Sequence, residues 1–228
     1  MAFLGFHPCP KCNSRDNLAE YTNNFYCFGC GYGKPKRNLA SFKPQETVRG
    51  YDGITLENKL DNDHLKWLLG YNLTQDEMQQ FKSCHERIVK GESRKCNLLV
   101  LTHSDSYWQA RNFDTGIKYL SSGMKPYIEY KKQGSDVLVF TEDIISAVKV
   151  SRVATAVPML GAKVLKDWWI ETKPYSRVII WGDRDKAREN VIEARRASEI
   201  IGKKVEVVIS DKDPKDYSTE SIIKYIII

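Results

Sequence analysis

The chain has 228 residues, 42% of them apolar and 11% aromatic, which supports real cores in one or two domains. Met1 to Phe6 is too short for the apolar core of a secretory signal, and no apolar run approaches a membrane span, so a secreted or membrane-embedded protein is not expected. The formal charge of +6 is concentrated at one end: residues 1–50 carry seven Lys/Arg against three Asp/Glu, while residues 51–135 and 136–228 are each one positive charge in excess. A polyanionic partner or a merely solvated basic face would each account for this. The expected location is the cytoplasm, where six cysteines suggest metal before disulfides.

Cys9-Pro-Lys-Cys12 and Cys27-Phe-Gly-Cys30 are two pairs of metal-ligand spacing, fourteen residues apart. Each pair can hold one side of a tetrahedral zinc, and the intervening Asn17 to Tyr26 can form a β-hairpin. Residues 1–33 are therefore expected to be a zinc ribbon, too small for an independent core and folded largely by its metal. His7 is a possible substitute ligand. The ribbon carries Lys11, Arg15, Asn23, Asn24, Phe28 and Tyr32, a set suited to unstacked bases and phosphates; a purely structural or protein-binding ribbon is the alternative.

Residues 34–50 contain Pro35, Pro44 and several basic residues, and read as a basic linker. From Asp61 the pattern becomes helical, with Leu65, Leu68 and Leu69 on one face and Gly70 as a stop. Thr74-Gln-Asp-Glu77 resembles a capping box opening a second helix through Phe81. Asn97 to Thr102, Tyr107 to Arg111 and Ile117 to Leu120 read as short strands. Cys84 and Cys96 lack ligand spacing and read as small apolar residues.

Beyond residue 136, four strand candidates alternate with helical stretches: Val137–Phe140, Val153–Val157, Val178–Trp181 and Val205–Ile209. This alternation predicts a mostly parallel sheet. Two of the strands end in acid, at Glu142-Asp143 and at Asp183-Arg-Asp185. Extended chain places alternate side chains on one face, so Asp183 and Asp185 are expected to point together, beside Glu142 on a neighbouring strand. Like charges 4 Å apart cost about 4 kcal/mol at an effective dielectric of 20, so such a group calls for a cation, and magnesium suits it. A helix running over Val191, Ala194, Ala197 and Ile201 to Gly202 follows. Lys163 lies at a strand-to-helix turn, where it could meet phosphate. Asp213 lies in a charged loop, Asp213-Pro-Lys-Asp216, and could add a ligand.

The order of these parts resembles a phage-type DNA primase: a four-cysteine ribbon, a basic linker and a TOPRIM-like unit. The likeness covers nearly the whole chain. It is carried by Cys-Pro-Lys-Cys with Tyr-Cys-Phe-Gly-Cys, Tyr107-Trp-Gln-Ala-Arg111 before Lys118-Tyr-Leu-Ser-Ser-Gly123, Thr141-Glu-Asp143, Trp181-Gly-Asp-Arg-Asp185 and Asp213-Pro-Lys-Asp216. The resemblance implies an α/β fold with a TOPRIM-like RNA polymerase domain over residues 51–228, divided into an N-terminal part (51–135) and the TOPRIM part (136–228). It implies Glu142, Asp183 and Asp185 as catalytic ligands of magnesium or manganese, with Arg111, Lys118 and Lys163 lining the catalytic cleft. The ribbon, with Arg15 and Phe28, would help to choose template sites. Single-stranded DNA, ribonucleoside triphosphates, a separate helicase and a DNA polymerase would be the partners, in an infected bacterial host. Two departures stand out: Asp143 occupies a position often held by glycine, and Ser146 stands near an expected aspartate. A recombination-mediator-like DNA binder and a TOPRIM nuclease are the rival readings.

Overall fold

The structure, a computed structural model, describes residues 3–21, 24–35, 52–114, 116–161 and 163–227. Asn23 and the linker from residue 36 onward, through residue 51, lie outside these. The chain divides into two compact units, Met1–Val48 and Arg49–Ile228. Among the described residues no helix is long and apolar enough to cross a membrane.

The first unit is a four-stranded antiparallel sheet in the order β1-β2-β3-β4, formed by β1 (Phe3–His7), β2 (Leu18–Tyr21), β3 (Asn24–Cys27) and β4 (Gly33–Pro35). The hairpin between the cysteine pairs is β2 with β3, in a register that sets Leu18 opposite Cys27. Among the described residues its buried apolar side chains are Cys9, Leu18, Ala19 and Cys27, with Phe25 and Tyr32 packed beside the cysteines and Leu18. Each fully buried residue of this size contributes only about 1.5–3 kcal/mol, so the unit depends on a cross-link.

The second unit joins two sheets. The antiparallel sheet runs β5 (Ile54–Glu57), β6 (Lys82–Val89), β7 (Glu92–Ser104), β8 (Tyr107–Asn112) and β9 (Tyr119–Gly123), in that order. The β6–β7 turn puts both Lys90 (φ 53°) and Gly91 (φ 83°) in the left-handed region, as a tight two-residue hairpin turn requires. On one face of this sheet Leu98, Val100, Trp108 and Ala110 pack with Cys84, Ile54 and Leu56. On the other, Leu99, Leu101 and Tyr107 pack against Leu68, Phe81, Ile144, Val148 and Leu160. That second cluster fuses the two sheets.

The parallel sheet has the order β11-β10-β12-β13, from β10 (Val137–Thr141), β11 (Thr155–Pro158), β12 (Arg177–Trp181) and β13 (Val205–Val207). Its central strands are buried on both faces, which explains their unbroken apolar runs. Leu138, Phe140, Val178 and Ile180 meet Trp168, Trp169, Ala194 and Ala197 on one side. Val139, Ile179 and Trp181 meet Ala147, Val150, Ile222 and Ile226 on the other. The flanking helices are α3 (Ile144–Val150), α4 (Ala187–Ile201) and α5 (Thr219–Ile227).

Several sequence expectations shift in detail. α1 (Asn62–Leu69) buries His64 and Leu68 and exposes Leu69, because its apolar stripe begins at the buried histidine. The capping box at Thr74 forms, with the Glu77 carboxylate accepting from the Thr74 amide at 2.7 Å, but α2 (Gln75–Met78) stops before Phe81. In α4 the buried face is Asn190, Ala194 and Ala197, and Val191 is exposed. Gly202 ends α4 at φ 68°, the left-handed stop that glycine favours. β5 and β6 have no counterpart in the sequence expectations.

Candidate functional site

The two cysteine pairs form matching knuckles. The Cys9 carbonyl accepts from the Asn13 amide at 2.9 Å, and the Cys27 carbonyl accepts from the Gly31 amide at 2.9 Å. Asn13 (φ 54°) and Gly31 (φ 70°) both take the left-handed conformation just after the second cysteine of each pair. Residue types that tolerate this are few, so Asn13 and Gly31 are sequence signals for the knuckles beyond the cysteines themselves. The Sγ atoms of Cys9 and Cys30 lie 3.7 Å apart, as do those of Cys12 and Cys27. Zinc–sulfur bonds of about 2.3 Å in a tetrahedron require sulfurs about 3.8 Å apart. All four lie within 4.8 Å of one another, so the cluster could hold one zinc ion. Ser14's hydroxyl and amide pull the Cys12 thiol down to about 6, toward the thiolate that metal needs. His7 instead pairs with Glu20 at 2.5 Å.

On the ribbon surface Phe28 is 61% exposed and meets Tyr26 edge-on, with centroids 5.3 Å apart. Arg15 and Lys11 are exposed.

In the second unit β10 and β12 are adjacent, and their last residues, Thr141 and Trp181, are paired. Glu142 and Asp183 therefore leave the sheet at the same end, the carboxyl end where ligands of open α/β sheets bind. Asp183 is half-buried, and its carboxyl is pushed up to about 7, first by burial and then by the charges of Glu142 and Asp213. Lys215 opposes this shift; its ammonium sits 2.6 Å from Asp213 and 2.9 Å from Asp143. Asp213 opens the short 3-10 turn Pro214–Asp216. That turn is tied down by Lys149, 2% exposed, whose ammonium donates to the Lys215 carbonyl at 2.8 Å.

Asp185 differs from the extended-chain expectation. The backbone turns into a 3-10 segment, Arg184–Lys186, directly after Asp183, and alternation no longer applies. Asp185 is exposed, with its carboxylate 3.6 Å from Lys186; the charges that dominate at Asp183 are Glu142 and Asp213. Asp143 is a helix cap: it accepts from the Ser146 amide at 2.9 Å and hydroxyl at 3.0 Å, and pairs with Lys215. Among the described residues only the cysteines form a group of ligand atoms all within 4.8 Å. Asp183 and Asp213 lie within hydrogen-bonding reach of one another, and the Glu142 charge acts on the same carboxyl.

A cleft of about 300 Å³ adjoins Glu142. Glu142, Asp143, Leu160 and Gly161 form one wall, and Leu101, Gln109, Tyr119, Leu120 and Ser121 of the antiparallel sheet form the other. The Met159–Gly161 turn is strained: Leu160 has φ 54° and Gly161 φ 146°, conformations that cost a non-glycine residue about 1–2 kcal/mol. A Cβ on Gly161 would come 2.8 Å from the Lys125 ammonium.

The three basic residues expected at the cleft fall in different places. Arg111 lies among aromatic rings, 5.2 Å from the Tyr119 centroid, 5.8 Å from Trp67 and 6.0 Å from Phe113. Its Nε and Nη1 are buried without hydrogen-bond partners. Lys118 is exposed. Lys163 lines a separate depression of about 200 Å³ beside α4, with Glu193 and Arg196. Lys149 was not singled out from the sequence; Lys215 and Tyr119 lie inside the quoted Asp213–Asp216 and Lys118–Gly123 stretches but were not named for a role.

No family model matches the chain, and no curated protein matches it.

Proposed function

We propose that the chain is a DNA primase of the phage type, making short RNA primers on single-stranded DNA. The observation that carries this reading is the convergence of Glu142, Asp183 and Asp213 at one end of a parallel sheet, beside a cleft walled by a second sheet. The four-cysteine ribbon supports it.

Glu142, Asp183 and Asp213 are the residues that would hold magnesium or manganese. Bound there, the cations would activate the attacking 3′-hydroxyl and stabilise the leaving pyrophosphate. The chain's own part is positioning and charge. Lys215 offsets the carboxylates and keeps Asp213 in place. Arg111, packed against Tyr119 with its Nε and Nη1 buried, adds positive charge behind the cleft wall. Lys118 is free to follow a phosphate backbone. The cleft orients nucleotides and limits water at the reacting atoms. On the ribbon, Phe28 and Tyr26 offer stacking faces and Arg15 a phosphate contact. Asp185, exposed and 3.6 Å from Lys186, is assigned a lesser part, and Lys163 contacts template or nucleotide outside the cleft. A helicase and a DNA polymerase would be supplied as separate proteins in the host cytoplasm.

The test incubates the purified chain with single-stranded DNA of mixed sequence, labelled ribonucleoside triphosphates and magnesium or manganese. Short RNA that disappears in Asp183→Asn is the expected product. Degraded DNA would point to a nuclease, and binding without product to a recombination mediator.

A further inference from the structure

The parallel sheet has a second end. α4 begins at the acid cluster and runs for 15 residues, about 22 Å at 1.5 Å per residue. Its last turn and Gly202 therefore lie at the opposite end. There a groove of about 700 Å³ opens between the 3-10 segment Lys166–Thr172 and the end of α4. The floor is aliphatic: Ile170 is 60% exposed and Ile200 69% exposed, and the only aromatic lining residue, Trp169, is 2% exposed. The rim carries Lys166, Lys173 and Lys203 against one acid, Asp167. Lys203 is fixed, its ammonium donating to the carbonyls of Thr172 at 2.6 Å and Tyr175 at 2.5 Å. Two neutral carbonyls orient the charge without cancelling it.

We propose that this groove docks a short acidic segment of a partner protein. One or two bulky apolar side chains of the segment would seat on Ile170 and Ile200, and its carboxylates would face Lys166, Lys173 and Lys203. The volume lies in the range of pockets that enclose drug-sized ligands, which fits a linear segment better than a folded face. Charge complementarity selects the sign of the partner. A nucleic acid strand is disfavoured because its bases need an exposed aromatic face, and here the one ring is covered. A second copy of the chain is disfavoured because a two-fold contact would set the lysine rim against itself. The groove is remote from the carboxylates, so the proposal does not rest on primer synthesis.

The experiment uses the full chain and a phage-displayed library of random peptides about ten residues long. The best binders are resynthesised with fluorescein and measured by anisotropy against the parent, the double variant Lys166→Glu/Lys173→Glu, and Ile200→Glu. Enriched sequences should set Asp or Glu beside Ile, Leu or Phe. Their affinity should fall at least about tenfold in either variant, and should weaken as salt rises from about 50 to about 300 mM. All the substituted side chains are exposed, so both variants should keep the parent's tryptophan-fluorescence melt. Enrichment of peptides without acidic residues, or equal binding to the parent and both variants, would overturn the proposal. So would displacement of the peptide by oligodeoxythymidylate, which would assign the groove to nucleic acid.

Discussion

Replacing Asp183 with Asn should make the cation-free protein more stable while abolishing the proposed primer synthesis. The Asp183 carboxyl is raised from 3.8 to about 7 by burial and by Glu142 and Asp213. The folded chain thus holds this proton more tightly than the unfolded chain does. Between about pH 4 and pH 7 stability falls as pH rises, and above that the whole penalty is present. At full effect the rise is worth about 4 kcal/mol. The carboxyl is only half-buried, and screening by solvent reduces the expected penalty to about 1–2 kcal/mol. Asn has the same shape and no charge to lose, so Asp183→Asn should match the parent near pH 4 and exceed it at pH 8. For a unit of this size, the gain at pH 8 is about 2–8 °C in melting temperature. The assay is convenient because all five tryptophans, at 67, 108, 168, 169 and 181, lie in the second unit. Tryptophan fluorescence therefore follows that unit alone, and comparing two proteins cancels the other carboxylates. Added manganese should stabilise the parent at pH 8 by mass action and leave the variant almost unmoved. An Asn variant that melts below the parent at pH 8 without divalent cation would refute the reasoning. So would a gap that persists unchanged down to pH 4.

Three further outcomes are expected. Arg152 clasps Glu77 through two bonds, Nε at 2.7 Å and Nη2 at 2.6 Å, and also reaches the Asn72 carbonyl and the Thr219 hydroxyl; with both side chains largely covered, Arg152→Ala should cost about 2–4 kcal/mol, seen as a lower denaturant midpoint. Burial works to raise Glu77, but Arg152 and Thr74 outweigh it and hold it below its ordinary 4.5, so the pair's contribution is present above that pH and the parent–variant gap should shrink as pH falls through the folded value. A Cβ on Gly182 would meet the Asn190 side chain at 2.6 Å; Gly182→Ala should cost about 1–3 kcal/mol by overpacking and lower activity by shifting Asp183, and Asn190→Ala in the same chain should recover part of the stability if the clash is the cause. Cys27→Ser should lower bound zinc and, on the proposed reading, destroy initiation at preferred template sites while leaving some extension of a supplied oligonucleotide; equal loss of both, with the second unit still folded, would contradict the proposed division of labour between ribbon and core.

How much of this was legible in the sequence depends on what each residue is asked to do. Val178 to Trp181 and Val137 to Phe140 announce themselves because a strand buried on both faces admits almost nothing but apolar side chains. The knuckles are legible because zinc dictates both ligand type and spacing. β6 is not: Lys82 to Val89 mixes buried Ser83 and Cys84 with charged neighbours, and its turn uses Lys90-Gly91 where Asn-Gly would have been a clear signal. Asp185 shows where periodicity arguments break, because alternation belongs to pleated chain and the chain stops being pleated at Asp183. Asp143 shows a different ambiguity. A carboxylate just after a strand can cap the next helix or bind a cation, and only the position of Ser146 and Lys215 in space decides between them.

The same neighbours explain how several acids share one sheet end. Lys215 lies 2.6 Å from Asp213 and 2.9 Å from Asp143, is mostly covered, and is raised above its ordinary value: burial works against its charge, but the two carboxylates outweigh burial. It is a built-in counter-ion, fixed by a turn that Lys149 anchors through a backbone carbonyl. One lysine cannot neutralise Glu142, Asp183 and Asp213 together, and burial with the remaining charge of Glu142 and Asp213 raises the Asp183 carboxyl to about 7. At the proposed cation site, proton and cation compete for Asp183. A divalent ion displaces a proton on binding, and its affinity should rise with pH through the value at which Asp183 titrates.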